Sequence, residues 1–326
     1  MLIPPNHEPG RHCGSTGIRD LVRHHGIPFS EAFCFGLGTG LGIWYLAMPG
    51  FPASRIIHVR SQDLEHQFFV RMGIAFSWAG SPDPEESHRD LMTALSQGRP
   101  ALLQTDIRHL PYYGTDTSFP GHVIVAWGFD EEEGAFLVSD TERPGLQNVP
   151  FEAMKKARYH KSAMLAMQGN FFAPESLAAP DNLAKITARA IRDQSLAMLK
   201  PPFDFGGLSG LRALSRELPE FAGLADAKWC ARFGYQVLEK RGTGGGGFRL
   251  LYADFLDEAQ ELCPQVKSLG LASLMREKAE IWTALALRLK DASEQEIPDF
   301  TAAGKELARL CTLAERYHTL AAGIEP

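Results

Sequence analysis

The sequence of 326 residues lacks the features that define several protein classes. Lys and Arg number 33 against 39 Asp and Glu, a formal net charge of −6, so it has no basic excess of the kind that neutralises nucleic-acid phosphates. No run of eighteen apolar residues occurs, and residues 1–7 hold no basic cluster before an apolar stretch. Because membrane spans and secretory signals need those runs, we expect a cytoplasmic protein without membrane partners. The charge balance leads us to expect no nucleic-acid partner either.

Cysteine is also scarce. The chain has five cysteines, Cys13, Cys34, Cys230, Cys263 and Cys311, with no Cys-x-x-Cys pair among them. Their odd number and wide spacing favour neither a disulfide framework nor a zinc ribbon. The sequence also has no His-Glu-x-x-His motif and no acidic cluster with calcium-loop spacing. We therefore expect neither a metal nor a cofactor.

The composition that remains is that of a globular protein. Hydrophobic residues make up 44% of the chain and charged residues 22%, and the length suffices for two domains. Up to about Phe172 short β-rich runs mix with helical patterns, whereas from Glu175 onward the pattern is helical. We predict an α+β protein with a mixed domain at residues 1–174 and an all-helical domain at residues 175–326.

Hydrophobic periodicity places the main elements. In the first domain it predicts helices at 15–24 and 84–97 and strands at 101–105, 122–129 and 135–140. The charged segment 130–134 joins the last two strands, which should form a hairpin. In the second domain six amphipathic helices are predicted, at 183–199, 208–217, 225–240, 248–262, 265–290 and 302–321.

Cys13 stands in the run His-Cys-Gly-Ser-Thr, immediately before the first predicted helix. A thiol at a helix N-terminus faces unpaired N–H groups and the positive end of the helix dipole. Both favour the thiolate and can lower a cysteine pKa from about 8.5 toward ~3.5–7.5. The same N–H groups can hold an oxyanion. The alternative is a small buried residue at a helix start.

His122 opens one strand of the predicted hairpin, and Asp140 ends the other. Antiparallel pairing puts Asp140 opposite or diagonal to His122, within reach of a hydrogen bond. A carboxylate on one imidazole nitrogen fixes the tautomer and leaves the other nitrogen to take a thiol proton. The alternatives are a hydrogen-bonded core histidine and a turn-forming aspartate.

Three further side chains, Asn6, His7 and His12, precede Cys13 closely enough to line the same cleft. One of them is expected to donate to an oxyanion beside the Cys13 backbone N–H. Ordinary loop polarity is the alternative for each.

Two glycine-rich runs punctuate the chain. The first, at 36–42, lacks the spacing of a dinucleotide-binding loop and predicts a tight turn with close backbone packing. The second, at 242–247, introduces a helix and can receive a phosphate or carboxylate at the helix start, unless it is simply a mobile loop. The candidates for substrate binding there are Gly245, Gly246, Arg249 and Tyr252.

These segments resemble a known family. Residues 12–26, 30–32 and 35–38, together with Gly121-His122 and Asp140, resemble the N-terminal domain of the butirosin biosynthesis protein H family. Residues 242–259 resemble the helical domain of unknown function that accompanies it. The N-terminal pattern is also similar to papain-like bacteriocin-processing peptidases, which place an oxyanion glutamine a few residues before the cysteine, where this chain has Asn6 and His7.

The resemblance implies a papain-like cysteine peptidase fold for residues 1 to about 172, with Cys13 as nucleophile, His122 as base and Asp140 as orienting acid. The family's namesake is an acyltransferase that moves an acyl group from a carrier-protein thioester to an amine. We therefore expect a cysteine-dependent acyltransferase of secondary-metabolite biosynthesis that uses an acyl carrier protein or acyl-CoA as donor and a small-molecule amine or hydroxyl as acceptor. A homodimer is possible. The alternatives are a thioesterase, amidase or peptidase of the same fold, and a binding protein with a vestigial site.

Overall fold

The computed structural model describes residues 1–51, 53–161 and 165–326. Its helices are α1 (Cys13–His24), α2 (Glu31–Leu37), α3 (Leu64–Arg71), α4 (Pro84–Ser96), α5 (Phe151–Ala157), α6 (Leu183–Leu199), α7 (Gly207–Glu217), α8 (Ala227–Tyr235), α9 (Arg249–Ala259), α10 (Pro264–Ser268), α11 (Leu271–Glu294) and α12 (Thr301–Ala322). Its strands are β1 (Leu41–Ala47), β2 (Arg55–Arg60), β3 (Ala101–Asp106), β4 (Pro120–Asp130), β5 (Ala135–Ser139), β6 (Gln147–Pro150), β7 (Tyr159–Lys161), β8 (Ala166–Gln168) and β9 (Phe171–Phe172). The protein is thus of mixed helix and sheet, as the α+β prediction requires.

The chain forms two compact units, each discontinuous in sequence. One comprises Met1–Cys34 and Phe68–Pro180, and the other comprises Phe35–Gln67 and Asp181–Pro326. This partition differs from the predicted linear division at 174/175, because residues 35–67 belong with the helical part. Among the described residues, no helix combines the length and the apolar composition that crossing a bilayer requires.

The first unit is built on an antiparallel five-stranded sheet with strand order β6-β5-β4-β3-β9. Strands β3, β4 and β5 correspond to the three predicted strands, and β4 and β5 form the expected hairpin. The ladder shifts by one residue at Trp127, between the pairs Ala126↔Val138 and Gly128↔Leu137. Residues 122–129 of β4 are all buried, as expected for a strand that is apolar on both faces.

Helix α1 packs closely on this sheet because Gly17 has no side chain. A Cβ atom at Gly17 would lie 2.9 Å from the Leu102 side chain of β3 and 3.3 Å from the Val123 side chain of β4. The buried face of α1 includes the apolar residues Ile18 and Leu21. The helix begins two residues before the predicted start, at Cys13 itself.

The second unit combines helices α6–α12 with the two-stranded sheet β1–β2. The sequence did not predict this hairpin, since the glycine run at 36–42 obscured the strand pattern. The close packing predicted for that run is confirmed. A Cβ atom at Gly36 would lie 2.1 Å from the Phe255 ring, and one at Gly42 would lie 2.2 Å from the Arg60 carbonyl oxygen.

Two predicted helices of the second unit are interrupted. The helix predicted at 265–290 is divided into α10 and α11 by Gly270, whose φ of +62° is left-handed. The helix predicted at 225–240 ends as α8 at Tyr235, and a π-helical turn, Gln236–Lys240, follows it. Both changes are local departures from regular helix geometry that hydrophobic periodicity does not detect.

Candidate active site

Cys13 is the first residue of α1 and is half-buried. The preceding residue, His12, caps the helix: its Nδ1 accepts the backbone N–H of Ser15 at 3.3 Å. In a neutral imidazole, a nitrogen that accepts a hydrogen bond carries no proton, so the ring proton of His12 is on Nε2. Because Cys13 begins α1, its thiol lies at the positive end of the helix dipole, as predicted from the sequence.

A carboxylate shares that end of the helix. Glu31 accepts the backbone N–H groups of Arg11 and His12 at 2.9 and 2.7 Å, and the hydroxyls of Ser15 and Thr16 at 3.2 and 3.1 Å. The position of Cys13 in the sequence predicts unpaired N–H groups around the thiol. The structure corrects this, because Glu31 and His12 engage several of the donors that surround the thiol.

His122 and Asp140 form a buried hydrogen-bonded pair. Nε2 of His122 lies 2.8 Å from Oδ1 of Asp140, and the two residues are only 6% and 2% exposed. The register Ala126↔Val138, continued by two residues, places Asp140 beside Ile124 and hence diagonal to His122. The hydrogen bond predicted from the hairpin is thus confirmed.

The imidazole of His122 also contacts the Cys13 side chain. Burial opposes protonation of His122, but the negative charge of Asp140, its hydrogen bond and a hydrogen bond with Cys13 together raise the pKa of His122. Because Asp140 is bonded at Nε2, Nδ1 is the ring nitrogen that remains for the sulfur. The structure therefore brings the three predicted side chains into one hydrogen-bonded series.

Two tyrosines that the sequence analysis missed complete this cluster. Tyr112 donates its hydroxyl to Oδ2 of Asp140 at 2.7 Å, and the hydroxyl of Tyr113 lies 3.2 Å from Nε2 of His122. Burial and the charge of Asp140 raise the pKa of both phenols. Burial also acts against ionisation of Asp140, but the charge of His122 and the hydrogen bonds from His122 and both tyrosines lower the pKa of Asp140.

Arg143 holds the tyrosine pair in place. Its guanidinium carbon lies 5.5 Å from the ring centroids of both Tyr112 and Tyr113, and Nη2 donates to the Tyr112 carbonyl at 3.1 Å. The Arg143 backbone N–H donates to the Asp140 carbonyl at 2.8 Å. No local motif marks these contacts in the sequence, since residues 112 and 143 are brought together only by the folded sheet.

The three predicted oxyanion donors have different surroundings. Both ring nitrogens of His7 are engaged: Nδ1 lies 2.5 Å from Asp20 Oδ2, and Nε2 donates to the Arg143 carbonyl at 2.7 Å. His7 therefore has no ring N–H left for an oxyanion, and Asn6 is exposed to solvent. Of the three, His12 directly precedes Cys13 in the sequence, and its neutral ring carries the proton on Nε2.

The substrate-binding residues predicted near the second glycine run lie in the other unit. The backbone N–H of Gly246 donates to Glu239 at 2.9 Å, and that of Gly245 lies 3.2 Å from the Thr243 hydroxyl. These amides are therefore paired within the loop and with the π-helical turn that precedes it. Substrate binding by this loop stays a prediction, and the structure shows that two of its amides already have internal partners.

Arg249 and Tyr252, predicted for the same role, are buried in the helical core at 1% and 0% exposure. Arg249 donates to the carbonyl oxygens of Gly42 and Gly247 at 3.0 and 2.5 Å. Tyr252 packs edge-on against the Phe255 ring. Neither side chain is presented at the surface, and their part in substrate binding stays a prediction.

A metal centre is not apparent in the part of the chain that the structure describes, where no group of three or more His, Cys, Asp or Glu side chains has the geometry to hold an ion.

The fold and site define an α+β protein in which a helix-terminal thiol meets a buried histidine–carboxylate pair. Residues 12–141 match the family described as butirosin biosynthesis protein H, N-terminal, and residues 152–320 match the domain of unknown function DUF4872. The chain belongs to the butirosin biosynthesis protein H family. Membership points to an enzyme of secondary-metabolite biosynthesis. No curated protein matches the chain.

Proposed function

We propose that this protein is a cysteine-dependent acyltransferase, in which Cys13 takes an acyl group from a carrier-protein or coenzyme A thioester and passes it to an amine or hydroxyl acceptor. The observation that carries the proposal is the position of His122, hydrogen-bonded both to the Cys13 thiol and, at 2.8 Å, to buried Asp140. A nucleophile, a base and a group that orients the base are the parts that covalent acyl transfer needs.

In the first step, Nδ1 of His122 accepts the Cys13 proton and the sulfur attacks the thioester carbonyl. The tetrahedral intermediate then expels the carrier thiolate, which takes the proton back from His122. One carbon–sulfur bond forms and another breaks, so the acyl-enzyme is reached at little thermodynamic cost. Asp140 stabilises the imidazolium formed on the way and holds the ring with Nδ1 toward the sulfur.

In the second step, the acceptor amine or hydroxyl attacks the acyl-enzyme carbonyl while His122 removes its proton. The Cys13 thiolate leaves and is reprotonated by His122, which returns the enzyme to its starting state. Water in place of the acceptor would give hydrolysis by the same route. The raised pKa of His122 supports both steps, because the imidazolium that must form after each proton transfer is stabilised by its surroundings.

Both tetrahedral intermediates carry negative charge on the former carbonyl oxygen. We assign its stabilisation to the backbone N–H of Cys13 and the Nε2–H of His12. The N-cap contact to Ser15 supports this assignment, because it fixes the His12 ring with Nδ1 as acceptor. Loss of one such donor typically costs ~10²–10³ in rate.

A papain-like arrangement of the first unit is part of the proposal. It is supported by a nucleophile at the start of a helix, α1, that packs on an antiparallel sheet bearing the histidine at the start of β4. The aspartate follows the adjacent strand, β5. Because one fold can support many unrelated functions, the proposed activity rests on the geometry of the site and not on the scaffold.

Intact-mass spectrometry tests the covalent step. The wild type, incubated with a panel of acyl-N-acetylcysteamine, acyl-CoA and acyl-carrier thioesters, should gain the mass of one acyl group on Cys13. Cys13→Ala should gain none, whereas Cys311→Ala, which removes another half-buried cysteine, should behave like the wild type. A wild type that stays unmodified across the panel, or an adduct that persists in Cys13→Ala, would overturn the proposal.

Product analysis then separates transfer from hydrolysis. With a panel of amines and alcohols present, a transferase forms an amide or ester at the expense of free acid. A hydrolase releases the same amount of free acid with or without acceptor, and that outcome would reassign the protein to the thioesterase or amidase alternative.

A further inference from the structure

Helices α9, α11 and α12 of the second unit enclose a set of basic side chains that the proposed reaction does not use. Arg249, Lys278 and His318 are each 1% exposed. The guanidinium carbon of Arg249 lies 4.7 Å from the Trp282 ring centroid, and the Lys278 ammonium nitrogen lies 4.4 Å from that of Tyr317. Lys278 and Trp282 are one turn apart on α11, so the contacts form one continuous group. We call these five residues the buried basic cluster.

The cluster lacks a counter-charge within the described residues. Arg249 donates to neutral carbonyl oxygens, and Nζ of Lys278 lies 3.0 Å from Nε2 of His318, whose Nδ1 lies 3.2 Å from the Ser195 hydroxyl. Burial lowers the pKa of Lys278 and of His318, and their repulsion with Arg249 adds to this effect. Burial lowers the pKa of Arg249 to about 9, so its charge persists at neutral pH.

The same cluster also has unused hydrogen-bonding capacity. The Nε of Arg249, the indole Nε1 of Trp282 and the hydroxyl of Tyr317 are buried and have no hydrogen-bond partner among the described residues. The first two are obligate donors, and the third donates readily. Because a buried polar group without a partner is destabilising, an acceptor placed among these side chains would stabilise the folded state.

We propose that the buried basic cluster binds a small oxyanion: inorganic phosphate, sulfate or the carboxylate or phosphoryl group of a small ligand. An oxyanion supplies what these side chains lack, namely negative charge and acceptor oxygens for the donors of Arg249, Trp282, Tyr317 and Lys278. A metal ion or an organic cation would meet like charge and hydrogen-bond donors. The site is independent of the Cys13 chemistry proposed above. It shares Arg249 with the glycine-loop site expected from the sequence, but its other members are side chains of α11 and α12.

Thermal unfolding of the full-length protein tests this inference. The protein is desalted into chloride buffer, and Tm is measured with increasing sodium phosphate, sulfate or acetate against sodium chloride at equal ionic strength. Because a ligand of the folded state stabilises it by mass action, a probe at about a hundred times its Kd should raise the Tm of a protein of this length by roughly 4 °C. Acid denaturation of the desalted protein followed by ion chromatography detects an oxyanion that was retained through purification.

Two variants locate the effect. Lys278→Met replaces the buried amine by a side chain of similar length, and Tyr317→Phe removes only a hydroxyl. Both should lose most of the oxyanion-dependent shift, whereas Lys305→Met on the exposed face of α12 and Cys13→Ala should keep it. The inference is overturned if the wild type neither releases an oxyanion nor gains more stability from any probe than from chloride. It is also overturned if both cluster variants keep the full shift.

Discussion

Tyr112 and Asp140 are joined by a 2.7 Å hydrogen bond from the phenol to Oδ2, on the carboxylate oxygen that His122 does not use. Tyr112 thus bonds one oxygen of this buried carboxylate and His122 bonds the other, and Tyr113 adds a further hydrogen bond to the carboxylate. Since a carboxylate held from both sides cannot rotate freely, the Tyr112 contact fixes the direction in which Asp140 presents its charge to His122. On this basis we assign Tyr112 as a positioning residue that acts through Asp140.

Removing the Tyr112 hydroxyl should therefore slow the reaction without abolishing it. A hydrogen bond to a charged group contributes about 1.5–3 kcal/mol, so Tyr112→Phe should lower kcat about 10-fold to 100-fold, with little change in KM. The measurement is steady-state thioester turnover, with the pH dependence of kcat recorded for both proteins. Loss of the hydrogen bond between Tyr112 and Asp140 should also shift the pH at which kcat changes with the protonation of His122.

The matched control is Tyr159→Phe, which removes a hydroxyl bonded at 2.8 Å to the Ser81 carbonyl away from the cluster. If both variants lose activity equally and keep the wild-type pH profile, Tyr112 is merely structural.

Loss of the Asp140 charge should lower kcat more than loss of the Tyr112 hydrogen bond does. Asp140→Asn keeps the shape of the side chain but favours the wrong histidine tautomer, and in a comparable hydrolase site such a change lowers kcat about 10⁴-fold. Without the carboxylate, burial remains and lowers the pKa of His122. The imidazolium that accompanies a Cys13 thiolate should then be lost, and alkylation of Cys13 by iodoacetamide at pH 6 should slow sharply.

Peptide-level mass spectrometry follows that alkylation, with Asp116→Asn in an exposed loop as control. An unchanged alkylation rate and kcat in Asp140→Asn would show that the carboxylate does not assist His122.

The part of the site that could be predicted from sequence is the part fixed by local geometry. His122 and Asp140 lie on adjacent strands joined by a short turn, so pairing rules alone bring them within reach. The amphipathic pattern locates α1 to within two residues of its start. Tyr112 and Arg143 meet across the fold, and His7 reaches Asp20 on α1. No periodicity or motif encodes such contacts, since they depend on how separate segments pack.

The fold shows the same division. Long amphipathic helices such as α6 and α12 were predicted closely, because their burial repeats every turn. The hairpin β1–β2 was missed because its first strand begins within the glycine-rich run 36–42. Glycine there permits close packing but gives no strand pattern. The break at Gly270 was missed because the apolar pattern continues on both sides of it.

The His7 contacts predict a pH-dependent contribution to stability. Burial disfavours the charged ring, but the hydrogen bond and charge of Asp20 outweigh it and raise the pKa of His7. The folded state therefore holds this proton more tightly than the unfolded chain. Its contribution is fully present below the unfolded pKa of about 6.5 and is lost as the pH rises through the folded pKa.

His7→Gln should accordingly lower Tm most below pH 6, and the difference from the wild type should shrink toward pH 9. Thermal unfolding across that range measures it, with His66→Gln at an exposed position as control. A Tm difference that is constant with pH, or that grows toward alkaline pH, would contradict a raised pKa.

The carboxylate of Glu31 should restrain the reactivity of Cys13. It accepts hydrogen bonds from the backbone N–H of His12 and from the hydroxyls of Ser15 and Thr16, on both sides of the thiol in sequence. Because a nearby negative charge disfavours a thiolate, Glu31→Gln should increase thiolate formation while retaining an acceptor oxygen. The pH midpoint of Cys13 alkylation should therefore move lower in this variant.

Alkylation rates from pH 4 to 9, followed by mass spectrometry, give that midpoint, and Glu133→Gln in the exposed turn between β4 and β5 should leave it unchanged. The same variant separates two roles for Glu31. If Glu31 only tethers the segment before α1, Glu31→Gln lowers Tm and leaves the midpoint in place. If instead its charge controls how much of Cys13 is thiolate, the midpoint moves while most of the stability is kept. The acylation rate below pH 7 then rises with the thiolate fraction.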